Sequence, residues 1–305
     1  MEPLKPQGLK PVRLDEKSGQ WLILGLLALI WGTSFILMKK GLQSFSSLQV
    51  AAMRIFISFL LLVPLLYHRI KKIKKAHLLP LFVVGFIGNG IPAFLFTKAQ
   101  TQVNSSVAGV LNSLTPLFAL LIGLFFFKVK TTIKNLAGVI IGLSGALMLI
   151  LFSGKFNFEI KNLFPFLIVL ATLFYAYNVN VVKQYLHDLD GVSIVAAAFS
   201  MVGPFAGIFL LTSDYTDIHA DPQTIFNFSC VFILALFSSV IATILFNNLI
   251  KHTTALFAAS VTYLIPVVAI AWGLLDGESL NFLQMVAIGV ILLGVYLVNS
   301  KPVKG

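Results

Sequence analysis

Residues 95–124 read "LFTKAQTQVNSSVAGVLNSLTPLFALLIGL", and residues 245–274 read "LFNNLIKHTTALFAASVTYLIPVVAIAWGL". Laid over one another at an offset of 150, the two stretches bring Phe96 onto Phe246, Ala108 onto Ala258, Pro116 onto Pro266 and Gly123 onto Gly273. A second pair lies upstream at an offset of 144. "IWGTSFILMKK" (30–40) sets Trp31 eight residues before Lys39, and "FYAYNVNVVKQ" (174–184) sets Tyr175 eight residues before Lys183. Apolar strings share letters easily, but two anchors at nearly equal offsets read as an internal repeat.

The repeat is written in lipid-compatible letters. Of the 305 residues, 58% are hydrophobic and 11% charged, where soluble domains carry about 25% charged residues. Such a chain cannot cover itself with polar surface, so its solvent is the bilayer. The eleven acids and five histidines fall in the N-terminal tail or at breaks between apolar runs. The net charge of +11 does not indicate nucleic acid, because the lysines gather between apolar runs rather than on one soluble face. The lone Cys230 forms no intrachain disulfide. The first apolar run is long enough to span and no small-residue cleavage site follows it, so a signal peptide is not expected.

A spanning helix needs about 20 apolar residues. Ten such stretches can be read: 21–40, 48–67, 78–97, 104–127, 132–152, 164–185, 191–211, 226–249, 254–275 and 281–299. Each is expected to be helical, since lipid satisfies no backbone group. Period-two alternation is absent, which excludes a β-barrel. The expected fold is therefore an all-α membrane protein of ten transmembrane helices. With the N-terminus inside, 16 Lys and Arg fall on the inner side and 5 on the outer, with Arg54 within a span. Both termini are thus expected in the cytoplasm. The organisation is a tail (1–20) and two five-helix units (21–152 and 164–300). Because five is odd, the second unit starts on the opposite face of the membrane, and the repeats are inverted. Inverted repeats supply transporters with two related states around a site near the midplane.

The chain resembles the drug/metabolite transporter superfamily, in its EamA-like branch of ten-helix proteins. The resemblance covers about residues 20–300 and rests on "WGTSFILMKK", "AMRIF", "SSVAGVLNSLTPLFALLIGL", "ALFAASVTYLIPVVAIAWGLLDGESL" and "AIGVILLGVYLV". It implies export of amino acids or similar small metabolites across the bacterial inner membrane. Two departures stand out. The family pattern often places Gly-Glu at the end of the fourth helix. The second half keeps it as Gly277-Glu278, whereas the first half has Lys128-Val129 there. The sixth-helix aromatic, often Trp, is Tyr175.

Polar groups half-way through the spans fall on helices 1, 3, 4, 6, 8 and 9, which are mates under the repeat. Asn89 overlays Ser239, and Asn112 overlays Thr262. A lone Ser or Thr in a membrane helix reads first as a bond to a neighbouring helix. An Asn side chain, with two donors and two acceptor sites, is harder for one neighbour to satisfy. Taken together the set reads as a cavity between the halves. The candidate substrate-binding residues are Trp31, Ser34, Asn89, Asn112, Tyr175, Asn178, Ser239, Thr243, Asn247 and Tyr263. Pro116 and Pro266 free a carbonyl in mid-helix, which leaves a passive kink and a ligand-binding carbonyl equally open. Arg54 is the one charge well inside a span. It reads either as functional by default or as a rigid structural group, with Asp276 and Glu278 as possible partners. Lys39 reads as an interfacial anchor, and the resemblance adds a part in shaping the outer vestibule. With Glu278 these form a gating or structural set.

No catalytic motif is present: there is no HExxH, GxSxG or CxxC, and no paired carboxylates. "GFIGNG" (85–90) resembles a phosphate loop only superficially and reads as close helix packing. An enzyme, a cofactor and a metal are not expected. A small-molecule substrate and the bilayer are the expected partners, and a monomer the expected form. The leading function is alternating-access export, facilitated rather than proton-coupled, since no span carries an acid or histidine. The alternatives are a metabolite channel or uniporter and a multidrug exporter.

Overall fold

The computed structural model describes residues 16–128, 131–152, 163–216, 218, 221–253, 257–258 and 260–299. Most of the N-terminal tail, Val129, the connection carrying Lys155 and Lys161, the start of the expected ninth span and the C-terminal lysines lie outside them. The described residues are helical and contain no strand. Eight helices are long and apolar enough to cross a membrane: α1 (Lys17–Gly41), α2 (Ser47–Tyr67), α3 (Lys75–Gln100), α4 (Ser105–Phe127), α5 (Ile133–Phe152), α6 (Phe164–Tyr185), α7 (Gly191–Leu211) and α8 (Pro222–His252). Two shorter apolar helices follow, α9 (Val261–Leu275) and α10 (Phe282–Val298). Large side chains such as Trp21, Leu79, Phe125, Phe205, Leu211 and Phe282 stay exposed, which water would not tolerate over such an area and lipid does.

Short polar devices begin and end the helices. Ser46 opens α2 with a capping box: its hydroxyl accepts the Gln49 N–H at 3.2 Å, and Gln49 Oε1 accepts the Ser46 N–H at 2.9 Å. Asp190 caps α7 by accepting the Ser193 N–H at 3.0 Å, and Asp221 caps α8 by accepting that of Thr224 at 2.6 Å. Lys128, with φ of 54°, ends α4 in the left-handed region.

Helices pack in partnerships. α2 lies against α7, α5 against α10 and α4 against α9, while α1 meets α8 and α9, and α6 meets α3 and α4. Glycine sets the closest of these approaches. A Cβ on Gly294 would strike the backbone of Gly142, so α5 and α10 touch almost backbone to backbone.

Hydrogen bonds sort the connections into two ends. At one end Lys39 and Lys40 meet the segment after α9, Ser44 meets Asn227 of α8, and Gln49 Nε2 donates to the Asp214 carbonyl. At the other, Arg69 and Lys72 of the α2–α3 connection pair with Asp190, and Lys74 with Asp188. Burial pushes the Asp190 carboxyl up, but the Ser193 N–H and hydroxyl, with Lys72 and Arg69, outweigh it and hold the group at about 2.

Four helices are not continuous α-helix. α3 has a π segment at Phe86–Gly90, and α8 a longer one at Leu234–Ile241. α4 opens into a turn at Ser113–Leu114 and resumes at Thr115, with Pro116 in its first turn. Pro266 likewise stands in the first turn of the helix resuming at Ile265, after a 3-10 turn at Ser260–Tyr263. The two prolines thus start half-helices, where a missing N–H costs little, rather than kinking a continuous one.

Candidate functional site

The irregular segments converge on one central cavity, with about 790 Å³ of empty space counting its open mouth. Helix α1 presents Trp31, Ser34, Phe35 and Met38 to it, spaced i, i+3, i+4 and i+7 on one face. α2 contributes Arg54, α3 Gly88, Asn89 and Phe96, and α4 Asn112 and Thr115. α6 contributes Tyr175, Asn178 and Val179, α8 Ser238, Thr243 and Phe246, and α9 Val261 and Thr262.

The apolar wall is aromatic. Phe96 stacks on Tyr175 with centroids 5.8 Å apart, and Trp31 meets Phe246 edge-on at 5.0 Å. The π segment of α8 shifts its hydrogen-bond ladder, and the Ser238 carbonyl accepts both the Trp31 indole N–H at 3.1 Å and the Thr243 hydroxyl at 3.2 Å. In α3 the Asn89 amide donates to the Val84 carbonyl, five residues back, at 2.8 Å. π-bulges often mark functional positions. Pro116 removes the donor for the Asn112 carbonyl, which the Thr115 hydroxyl satisfies at 2.8 Å.

Among the amides that line the cavity, two stand apart. Asn112 and Asn178 are buried, and the side-chain oxygen of each has no hydrogen-bond partner among the described residues. Asn180, two residues on, is the contrast: its amide donates to the carbonyls of Ala119 and Ala176 at 3.1 and 2.9 Å and ties α6 to α4. Gly88 makes room for Asn178, because a Cβ there would strike that side chain. A buried amide left without partners costs free energy, which water or a ligand group in the cavity can restore.

Of the sequence-derived candidates, Trp31, Ser34, Asn89, Asn112, Tyr175, Asn178 and Thr243 line the cavity. Three stand elsewhere. Ser239 lies behind the wall, where its hydroxyl accepts from Arg54 Nε at 2.6 Å. The Asn247 amide donates to the Thr243 carbonyl, and its side chain faces a smaller recess beside Lys183. The Tyr263 hydroxyl donates to the Val295 carbonyl at 2.6 Å, joining α9 to α10. The neighbours Ser238 and Thr262 take their places in the lining. A stripe at i, i+4, i+8 assumes a regular α-helix, and the π segment of α8 rotates residues out of that register. Phe35, Met38, Phe96 and Phe246 were missed because apolar residues give no sequence signal that separates a cavity wall from a core.

The acids proposed as Arg54 partners stand elsewhere. Glu278 is buried among polar groups: Oε1 accepts the Ser105 N–H and hydroxyl at 2.9 and 2.6 Å, and Oε2 those of Ser106 at 3.0 and 2.7 Å. Lys39 Nζ lies 2.8 Å from Glu278 and 2.8 Å from Asp276, and Lys40 pairs with Asp276 at 2.5 Å. Burial pushes the Glu278 carboxyl up, yet Lys39 and the two serines pull it down to about 2. Glu278 sits where the first turn of α4 offers free N–H groups, so it latches α1, α4 and the end of α9 together. Lys183, which overlays Lys39, meets no such acid among the described residues and donates instead to the carbonyls of Ile250 and Thr253 at 2.8 and 2.5 Å.

An apolar, lipid-facing helical bundle around a central cavity defines a multi-pass membrane protein. The chain belongs to the EamA-like transporter family, whose model matches residues 19–151 and again 163–300. It is 30% identical over 296 residues to the "Uncharacterized inner membrane transporter YedA" of Escherichia coli K12, covering 91% of this chain and 92% of that one. It is 24% identical to the "S-adenosylmethionine/S-adenosylhomocysteine transporter" of Chlamydia muridarum, covering 90% of each. It is 23% identical to the "Probable amino-acid metabolite efflux pump" of Escherichia coli K12, covering 89% and 92%. A solved crystal structure shares the fold with a TM-score of 0.68 at 14% identity, covering 93% of this chain.

Proposed function

We propose that the protein is a ten-span secondary transporter built from two inverted five-helix repeats, which exports amino acids or similar small metabolites by alternating access. One observation carries the reading: helix contacts come in pairs that exchange under a five-helix shift. α2 meets α7 and α5 meets α10, while α3 against α6 is mirrored by α8 against α1, and α4 against α6 by α9 against α1. The π segments of α3 and α8 obey the same shift, and the family model matches each half separately. A two-fold arrangement of this kind gives two states related by exchanging the roles of the halves.

In the proposed orientation both termini face the cytoplasm of a bacterium, and the Lys39–Glu278 latch lies outside. The latch has no acidic counterpart inside, because Lys128-Val129 stands where Gly277-Glu278 stands in the other half. The latch favours closure of the external end, while Arg69, Lys72 and Lys74 pair with Asp190 and Asp188 at the internal end. The relatives named for amino-acid metabolites and for S-adenosylmethionine support solutes of that size and polarity. The test is uptake into proteoliposomes over a panel of amino acids, nucleosides and S-adenosylmethionine. Saturable flux of at least one class is expected, and absence of flux across the panel overturns the assignment.

A further inference from the structure

Arg54 lies inside the membrane-spanning part of α2 and lines the cavity. Its Nε donates to Ser239 Oγ at 2.6 Å. One turn on, the Ser58 hydroxyl donates to the Arg54 carbonyl at 2.7 Å and to the Ala235 carbonyl at 3.3 Å, fixing this part of α2 on α8. The guanidinium forms no ion pair among the described residues, and its terminal N–H groups find no protein acceptor there. No Asp or Glu lines the cavity. Arginine keeps its charge even when buried, and its planar fork matches a carboxylate with two parallel hydrogen bonds. Arg54 is half-buried, and an unpaired cation at this depth in a membrane-spanning helix is costly.

We propose that Arg54 is the docking group for the substrate's carboxylate. Around it lie the other requirements of an amino-acid headgroup. The side-chain oxygens of Asn112, Asn178 and Ser238 are buried and lack partners, so they can accept from an ammonium. The aromatic pairs at Tyr175 and Trp31 offer an apolar wall for the side chain. The cavity thus selects zwitterionic solutes carrying a free carboxylate and rejects the same bodies with that charge removed. This assignment rests on the carrier reading above.

The test uses matched probes in proteoliposomes. L-Phenylalanine, L-leucine and L-methionine are each compared with their primary amide, and S-adenosylmethionine with its decarboxylated form. The free acids should be preferred roughly ten- to a hundredfold, the factor a charge-assisted hydrogen bond supplies. In Arg54→Gln that preference should fall to about twofold, whereas Arg54→Lys should keep part of it. Because the readout is a ratio within one protein sample, a general folding defect does not mimic it, and the wild-type ratio alone decides if Arg54→Gln does not fold. Equal transport of acids and amides, or an unchanged ratio in Arg54→Gln, overturns the carboxylate site and leaves the carrier intact. Displacement of the probes by organic phosphates but not by carboxylates also overturns it. Saturable flux of none of these probes removes the carrier reading for this class, and the site with it.

Discussion

Replacing Glu278 by Gln should open the external end. The carboxylate accepts four hydrogen bonds from Ser105 and Ser106 and pairs with Lys39, with its side chain only 3% exposed. Its carboxyl stands at about 2, against an ordinary 4.5, a difference equivalent to roughly 3 kcal/mol for the ionised latch. Loss of one partner from a buried pair costs a similar amount. Full loss would shift the closed-to-open ratio by roughly 150-fold. Lys39 keeps Asp276 at 2.8 Å, and a glutamine can still accept from one serine, so a change of about tenfold or more is expected. The assay places a cysteine at Met38, which lines the cavity one residue from Lys39, in a chain whose Cys230 is replaced by alanine. A membrane-impermeant maleimide, added to intact cells, should label this cysteine about tenfold faster with Gln at 278. Equal or slower labelling refutes the latch. The sign with pH follows from a carboxyl whose acidity is raised by closure. The stabilisation is complete above about 4.5 and fades as pH falls toward 2, so external acidification to pH 6 should leave the wild-type labelling rate unchanged.

Alanine at Asn112 or Asn178 should cut transport at least several-fold while leaving unfolding in detergent nearly unchanged, since neither side-chain oxygen has a partner among the described residues. Asn180→Ala should do the reverse, costing about 1 kcal/mol of stability with little effect on the substrate's apparent affinity. Gly88→Val should displace Asn178 and weaken transport as much as Asn178→Ala, measured by substrate saturation in proteoliposomes. Since the cavity is lined by no carboxylate or histidine, an imposed pH gradient should not drive uphill accumulation of a substrate of fixed charge; accumulation would contradict facilitated movement.

The apolar helices were legible because bilayer thickness fixes the length of an apolar run. The cavity was legible at Trp31, Asn112, Tyr175 and Asn178, because buried amides and aromatics in mid-span need a reason. Ser239, Asn247 and Tyr263 show where that reasoning stops. Whether a polar side chain faces a cavity or a neighbouring carbonyl depends on a rotation of one residue about the helix axis. The π segment of α8 makes that rotation for Ser239 and Asn247 and the 3-10 turn of α9 for Tyr263, and the residues within those segments do not announce it. The Lys39–Glu278 latch was hidden for another reason. The residues lie 239 apart in sequence, and only the packing of α1 against α9 brings them together.

Exposure of one cavity alternately to the two sides of the membrane is tested by counterflow. Proteoliposomes loaded with unlabelled substrate are diluted into a trace of the same substrate carrying a label. An alternating-access carrier returns loaded faster than empty, so the label should accumulate transiently above its equilibrium level and uptake should saturate. Label that only equilibrates, at a rate indifferent to the internal substrate, would mean a continuous pore and would contradict the account.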